Sequence, residues 1–281
     1  PEWKIKAMTD LSGKVGYNSE MHLYHNPGLY YGGTPEIVRY RYFLDALNGC
    51  LQTANFAYDG WTAELTHSGY KMAELLEANR QVISDLRRTA DYVVSLYETA
   101  PLLSAVLTEE NYYLEPKVYN KEDTRPALLY CALAARGLPW RYISEDQIAH
   151  VKTPYLLLWT DRITADAMEA LADLPSSVRI ICLEQVPELN EYGLPLAEEI
   201  VEAVRSRSEV IPASREPAEL VSQVSEIASE YGVRDGVFLE SSIQKIPSWR
   251  PQGHFSLLIP YPAVEVRQRK TADGYILAVI N

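Results

Sequence analysis

Residues 18–22 read Asn-Ser-Glu-Met-His, which sets an amide, a hydroxyl, a carboxylate and an imidazole within five positions. Val15 and Tyr17 alternate with small partners just before them, so the segment reads as a short strand that runs into polar, ionisable residues. A carboxylate delivered at a strand end is how an α/β barrel presents a catalytic group at its rim, and Glu20 is that carboxylate here. A second stretch, Phe56-Ala57-Tyr58-Asp59-Gly60-Trp61, also ends in aromatic and acidic residues. Tyr and Trp are amphipathic and suit surfaces that meet polar ligands such as sugars; the chain has 20 Tyr and 5 Trp against 4 Phe. Plainer readings stand beside these. Glu20 is equally an exposed carboxylate on a polar strand end, His22 an ordinary surface histidine, and Tyr58 and Trp61 packing residues. His22 and His25 are three apart on a strand-loop segment and not on a helix face, and His67, His150 and His254 show no ligand spacing with acidic residues. No metal site and no cofactor are expected.

The elements that must position these residues fall into three zones. Residues 1–98 read strand, loop, helix, strand, loop, helix. Thr34-Pro35-Glu36 opens the first helix, with Ile37, Val38, Phe43, Leu44 and Leu47 on its apolar face and Asn48-Gly49 as its stop. Leu51 to Trp61 is the second strand, and Met72 to Tyr97 a long helix. Residues 99–231 alternate strands (102–107, 140–143, 155–159, 178–183) with helices (125–136, 165–174, 197–207, 217–231). The run Tyr-Leu-Leu-Leu-Trp at 155–159 is what a strand buried on both faces of a parallel sheet looks like. That zone predicts a doubly wound, flavodoxin-like sheet. Residues 232–281 switch to period two, with Val264–Gln268 and Tyr275–Val279 flanking Ala272-Asp273-Gly274 as a hairpin. A lone hairpin is marginal, so a β-sandwich is expected to continue from it or it packs onto the second zone.

Composition narrows the function classes. With 281 residues the chain makes one large domain or two to three modest ones, and 47% apolar residues fill a real core. No run of eighteen apolar residues exists, and the N-terminus lacks a signal pattern, so a cytoplasmic, membrane-free protein is expected. The first residue is Pro, which suggests a fragment or a processed product. A net charge of −12 without any basic run argues against a nucleic-acid partner. Cys50, Cys131 and Cys182 are odd in number, far apart and in apolar contexts, so they read as buried small hydrophobes. Cys182 lies within Ile-Ile-Cys-Leu-Glu, with no Gly-x-Cys-x-Gly elbow, and no Gly-rich phosphate loop is present. The second zone therefore reads as a scaffold.

At this point the order of elements resembles a known family. A strand with Asn-Ser-Glu-Met-His-Leu-Tyr, a helix with Pro-Glu-Ile-Val-Arg, then Leu-Asn-Gly-Cys and Asn-Phe-Ala-Tyr-Asp look like the last two βα units of a TIM-barrel glycoside hydrolase. The likeness is to the β-galactosidases of family forty-two, whose barrel is followed by a flavodoxin-like trimerisation domain and a small β-domain. Tyr155–Trp159, the Thr164 helix and Asn190–Pro195 look like that middle domain. The final Val-Glu-Val-Arg and Asp-Gly-Tyr-Ile-Leu-Ala-Val-Ile-Asn resemble the start of the β-domain.

The resemblance implies a fold of two barrel βα units, a doubly wound parallel sheet and a small antiparallel segment. It implies that Glu20 is the nucleophile at the end of barrel strand seven and that Leu51–Asp59 is strand eight, with Asp59 where relatives often carry Glu. A retaining glycosidase uses two carboxylates about 5–5.5 Å apart. Asn18, Ser19 and Tyr58 then serve as hydrogen-bond donors that keep Glu20 ionised, His22 meets the carboxylate or a sugar hydroxyl, and Trp61 or Tyr58 stacks on a sugar ring. The family's acid/base carboxylate lies at strand four, to which nothing in this chain corresponds. The expected partners are a carbohydrate and either further copies of the chain, as a homo-oligomer, or a missing N-terminal barrel portion. The chain alone is expected to be inactive. The other class open to the sequence is a non-catalytic flavodoxin-like assembly or carbohydrate-associated module.

Overall fold

The computed structural model of the chain describes residues 2–12, 18–22, 35–50, 52–56, 72–108, 125–214, 219–220, 222–223, 243–248, 257–262 and 265–280. Two compact units divide it. One is made of Pro1–Thr99, Ile246–Ile259 and Arg267–Asn281; the other of Ala100–Lys245 and Pro260–Val266.

In the first unit, α1 (Glu2–Ser12) precedes the order β1 (Asn18–His22), α2 (Pro35–Leu47), β2 (Gln52–Phe56), α3 (Met72–Tyr97). β1 and β2 pair in parallel, from Asn18 opposite Gln52 to His22 opposite Phe56, with α2 as the crossover between them. α2 and α3 pack through Val38 and Tyr42 against Ala78 and Val82, each pair one helical turn apart, with Phe43 and Leu86 at the margin. Arg39 reaches across from its Nη2 to Asp85 Oδ2 at 3.1 Å and from its Nη1 to Gln81 Oε1 at 3.3 Å.

The Asn48-Gly49 stop behaves as expected. Cys50 N–H donates to Asp45 O at 2.9 Å and Gly49 N–H to Ala46 O at 3.0 Å, the paired bonds of a Schellman cap. Gly49 has φ +79°, and a Cβ there would stand 2.0 Å from Cε2 of Tyr97. Glycine is required twice over, by the backbone and by the ring lying against it.

In the second unit, β3 (Leu103–Leu107), β4 (Trp140–Ser144), β5 (Tyr155–Leu158), β6 (Arg179–Leu183) and β7 (Ser208–Ile211) form one five-stranded sheet in the order β4-β3-β5-β6-β7. Every pairing is parallel. Numbered within the unit this is 2-1-3-4-5, the flavodoxin-like order. β3 and β5 are buried at every position; β5 is an unbroken apolar run, and the one polar residue of β3, Ser104, accepts the Thr153 hydroxyl at 3.0 Å. Helices α4 (Arg125–Arg136), α5 (Ala165–Asp173) and α6 (Glu198–Arg205) alternate with the strands, and a 3-10 helix, Glu145–His150, follows β4. The Thr164 hydroxyl accepts Ala167 N–H at 3.3 Å as the cap of α5. Leu156, Leu158, Ile163, Met168, Leu171 and Ile180 belong to one core cluster, on one face of the sheet, and the alternate strand residues Ala105, Leu157 and Ile181 are buried on the other.

Several elements differ from the sequence expectation. β7 completes the sheet although Ser208-Glu209-Val210-Ile211 is short and half polar, as an edge strand can be. β8 (Ile243–Ser248) and β9 (Leu257–Pro262) pair with each other despite Pro247 and Pro260. α1 was not expected at all. Of the helix expected at 217–231, only residues 219, 220, 222 and 223 are described, and they are helical. The hairpin forms from β10 (Glu265–Thr271) and β11 (Gly274–Ile280) around a turn at 272–273. Its packing partners are α2 and α3: Ile276 and Ala278 lie with Leu47, Leu96, Tyr40 and Val93.

Candidate functional site

β1 holds the four strand residues singled out by their chemistry, with Ser19 at an intervening position opposite Thr53. Asn18, Glu20 and His22 occupy alternate positions, and the parallel register sets them opposite Gln52, Ala54 and Phe56 of β2. Adjacent strands run about 4.8 Å apart, so Glu20 and Ala54 are backbone neighbours. Because the two strands point the same way, their carboxyl ends share one edge. The chain leaves that edge after His22 and again after Phe56. Tyr58, Asp59 and Trp61 follow Phe56 and lie outside the described residues. The small Ala54 beside Glu20 comes from register alone. Nothing in the local pattern of Gln52-Thr53-Ala54-Asn55-Phe56 marks it.

The second unit has its own place where a site would form. In an open parallel sheet, ligands bind beyond the carboxyl ends of the strands where the order reverses, here between β3 and β5. Thr108 and Thr160 stand just past those two strands, each 2% exposed, and their hydroxyls are hydrogen-bonded to each other at 3.2 Å. Thr160 Oγ1 also donates to Arg162 O at 2.7 Å. Arg125, at the start of α4, is buried and pairs with Asp161 Oδ2 at 3.3 Å, and Asp161 Oδ1 accepts Gln185 Nε2 at the same distance. Glu145 is held by Thr164 N–H at 2.7 Å. Each hydroxyl directly follows a buried strand, but the strand order alone makes the two adjacent.

The cysteines have no reactive setting. Cys50, Cys131 and Cys182 are all buried and none is in a disulfide. Burial pushes the Cys182 thiol up to about 11, outweighing the Ser208 hydrogen bond that favours the thiolate. At neutral pH roughly one molecule in ten thousand then carries the nucleophilic form. Glu184, two residues on, has φ +73°, a left-handed conformation costly for a non-glycine residue; its N–H donates to Ile211 O at 2.8 Å, which ties the turn to β7. Among the described residues no three His, Cys, Asp or Glu side chains come close enough to hold a metal ion, and no helix is long and apolar enough to cross a membrane.

No family model matches the chain, and no curated protein matches it. Solved structures do. A β-galactosidase from the psychrophilic Marinomonas ef1 matches over 84% of this chain with a TM-score of 0.54 and 11% identity. The apo exo-carrageenase of glycoside hydrolase family 42 from Bacteroides ovatus matches over 86% with a TM-score of 0.53 and 14% identity. A catalytic mutant of Gan42B, a family 42 β-galactosidase from G. stearothermophilus, matches over 69% with a TM-score of 0.51 and 12% identity. The chain spans 30%, 31% and 44% of the lengths of the carrageenase, Gan42B and Marinomonas structures. The resemblance drawn from the order of elements is thus a resemblance of fold to glycoside hydrolases of family 42.

Proposed function

We propose that this chain is the part of a retaining glycoside hydrolase that supplies the nucleophile, with β1 and β2 as the last two strands of a TIM-type barrel and Glu20 as the attacking carboxylate. The substrate class is a β-galactoside or a related carbohydrate. The observation that carries the reading is the βαβα unit in which Glu20 lies on a parallel strand beside β2, within a chain whose fold is similar to that of family 42 enzymes. In the proposed reaction Glu20 attacks the anomeric carbon as a partner acid protonates the leaving oxygen. Water then hydrolyses the glycosyl ester with the partner acting as base. Asn18, Ser19 and Tyr58 stabilise the ionised Glu20, His22 binds a hydroxyl, and Asp59 and Trp61 contact the sugar. The partner acid comes from polypeptide outside this chain, so the chain by itself does not turn over.

The test uses the complete gene product and an aryl β-galactoside. Glu20→Gln is expected to lower kcat by about a thousandfold or more, as loss of a covalent nucleophile does. Glu20→Gly with added azide is expected to regain turnover and to yield a glycosyl azide of inverted configuration. Full activity in Glu20→Gln sinks the assignment.

The second unit is read as a non-catalytic scaffold for assembly. What supports this is the mutual pairing of Thr108 with Thr160 at the switch point and the raised Cys182 thiol.

A further inference from the structure

We infer that the C-terminal hairpin is a strap that completes the first unit, so that α2, α3 and residues 267–281 form one cooperative body with the five-stranded domain inserted between its parts. Three contacts converge on the carboxyl ends of the two helices. Arg269 Nη1 donates to Ser95 O at 2.9 Å and to Ser95 Oγ at 2.8 Å. Ser95 is in the last turn of α3, where carbonyls run out of amide partners and the negative end of the helix dipole gathers. Thr99 N–H has turned to Leu96 O, so Ser95 O takes the Thr99 hydroxyl at 3.1 Å and the guanidinium instead. Arg267 Nη2 donates to Asn48 Oδ1 at 3.0 Å. Asn48 is the cap of α2, 1% exposed, and immediately precedes the glycine of the Schellman turn. The third contact is apolar: Ile276 and Ala278 against Leu47, Leu96, Tyr40 and Val93.

Strand geometry explains why these residues act together. Arg267 and Arg269 are two apart on β10, and Ile276 and Ala278 two apart on β11, so each pair stands on one face of its strand. The alternate residues of β11, Tyr275, Leu277 and Val279, are exposed by 57%, 44% and 46%. One face of the hairpin is committed to the helices. The dependence runs both ways, because an isolated two-stranded hairpin is marginal in water and the helix ends need the guanidiniums.

Hydrogen exchange read by mass spectrometry on the whole chain tests the strap. In the double variant Arg267→Ala/Arg269→Ala, protection at 44–50 and 92–99 is expected to fall about tenfold or more, the scale of lost charge-assisted bonds, with protection at 155–183 unchanged. Unchanged protection at 44–50 and 92–99 overturns the inference, and so does an equal loss at 155–183, which marks general unfolding. Should the double variant not accumulate, the single variant Arg269→Met removes both bonds to Ser95 and keeps the apolar stem. A loss confined to 92–99 supports the strap in that case, and no loss there overturns it. The readout does not depend on activity, so it stands or falls apart from the role of Glu20.

Discussion

The two units reach stability by different routes. In the second, five parallel strands and their helices bury apolar residues on both faces of the sheet, and β3 and β5 are buried at every position. In the first, the described strands pair only two by two, β1 with β2 and β10 with β11, beside three helices, the apolar clusters among the described residues are small, and charged pairs lie within the helices. Lys6 and Asp10 pair at 3.0 Å within α1, and Arg41 and Asp45 at 3.4 Å within α2. α3 leaves Leu76, Ile83, Tyr92 and Val94 exposed. A core built from continuous strands closes on itself. A unit built from two-stranded sheets is held by point contacts between distant segments, and those contacts are specific enough to be broken singly.

The largest effect is expected from Leu156→Ala. Leu156 is fully buried at the centre of the five-stranded core, and the cavity costs about 2–5 kcal/mol. Hydrogen exchange is expected to show the loss across β3–β6 and to spare α2 and α3; an equal loss in both units breaks the comparison. Gly49→Ala comes next. The left-handed backbone and the Tyr97 ring together cost about 1–3 kcal/mol. A fall in protection restricted to the first unit is the expected signature, and Tyr97→Ala in the same chain relieves the clash but not the backbone share.

The smallest effect concerns pH. Hydrogen bonds from Arg80 and Gln81 hold the Glu77 carboxyl down to about 2, against an ordinary value of 4.5. A carboxylate held lower in the folded state stabilises above its unfolded value, and that support disappears as pH falls from about 4.5 to about 2. Circular dichroism of α3 helicity across that window is expected to show a slight acid loss that Glu77→Gln abolishes. Glu77 is on the surface, so screening keeps the effect small, and added salt reduces it further.

The same contrast decides what could be read from sequence. α3 and α4 are found at their observed bounds, and β3 to β6 within a residue, because apolar runs and Gly/Pro stops are local signals. β7 is missed because this edge strand is exposed or half-buried at every position, so Ser208-Glu209-Val210-Ile211 carries no apolar pattern. α1 is missed because Glu-Trp-Lys-Ile-Lys-Ala-Met carries neither a cap nor a clean apolar stripe. The hairpin was legible as a hairpin, but its partners were not: Arg269 and Ser95 are 174 positions apart, and Arg267 and Asn48 are 219. For the site, residue type marked Glu20, while the neighbour that flanks it, Ala54, is set by register and leaves no local trace. Thr108 and Thr160 become visible only once the strand order is known, since it is the order that makes them adjacent.

Those long separations also set a timetable. At 5–20 residues per second on the ribosome, roughly 9–35 seconds pass between the synthesis of Ser95 and the arrival of Arg269. Nearly all of the five-stranded domain is made within that interval. Of these two units, the one whose first segment is made earlier is therefore the later to be closed, since the ends of α2 and α3 wait for Arg267 and Arg269.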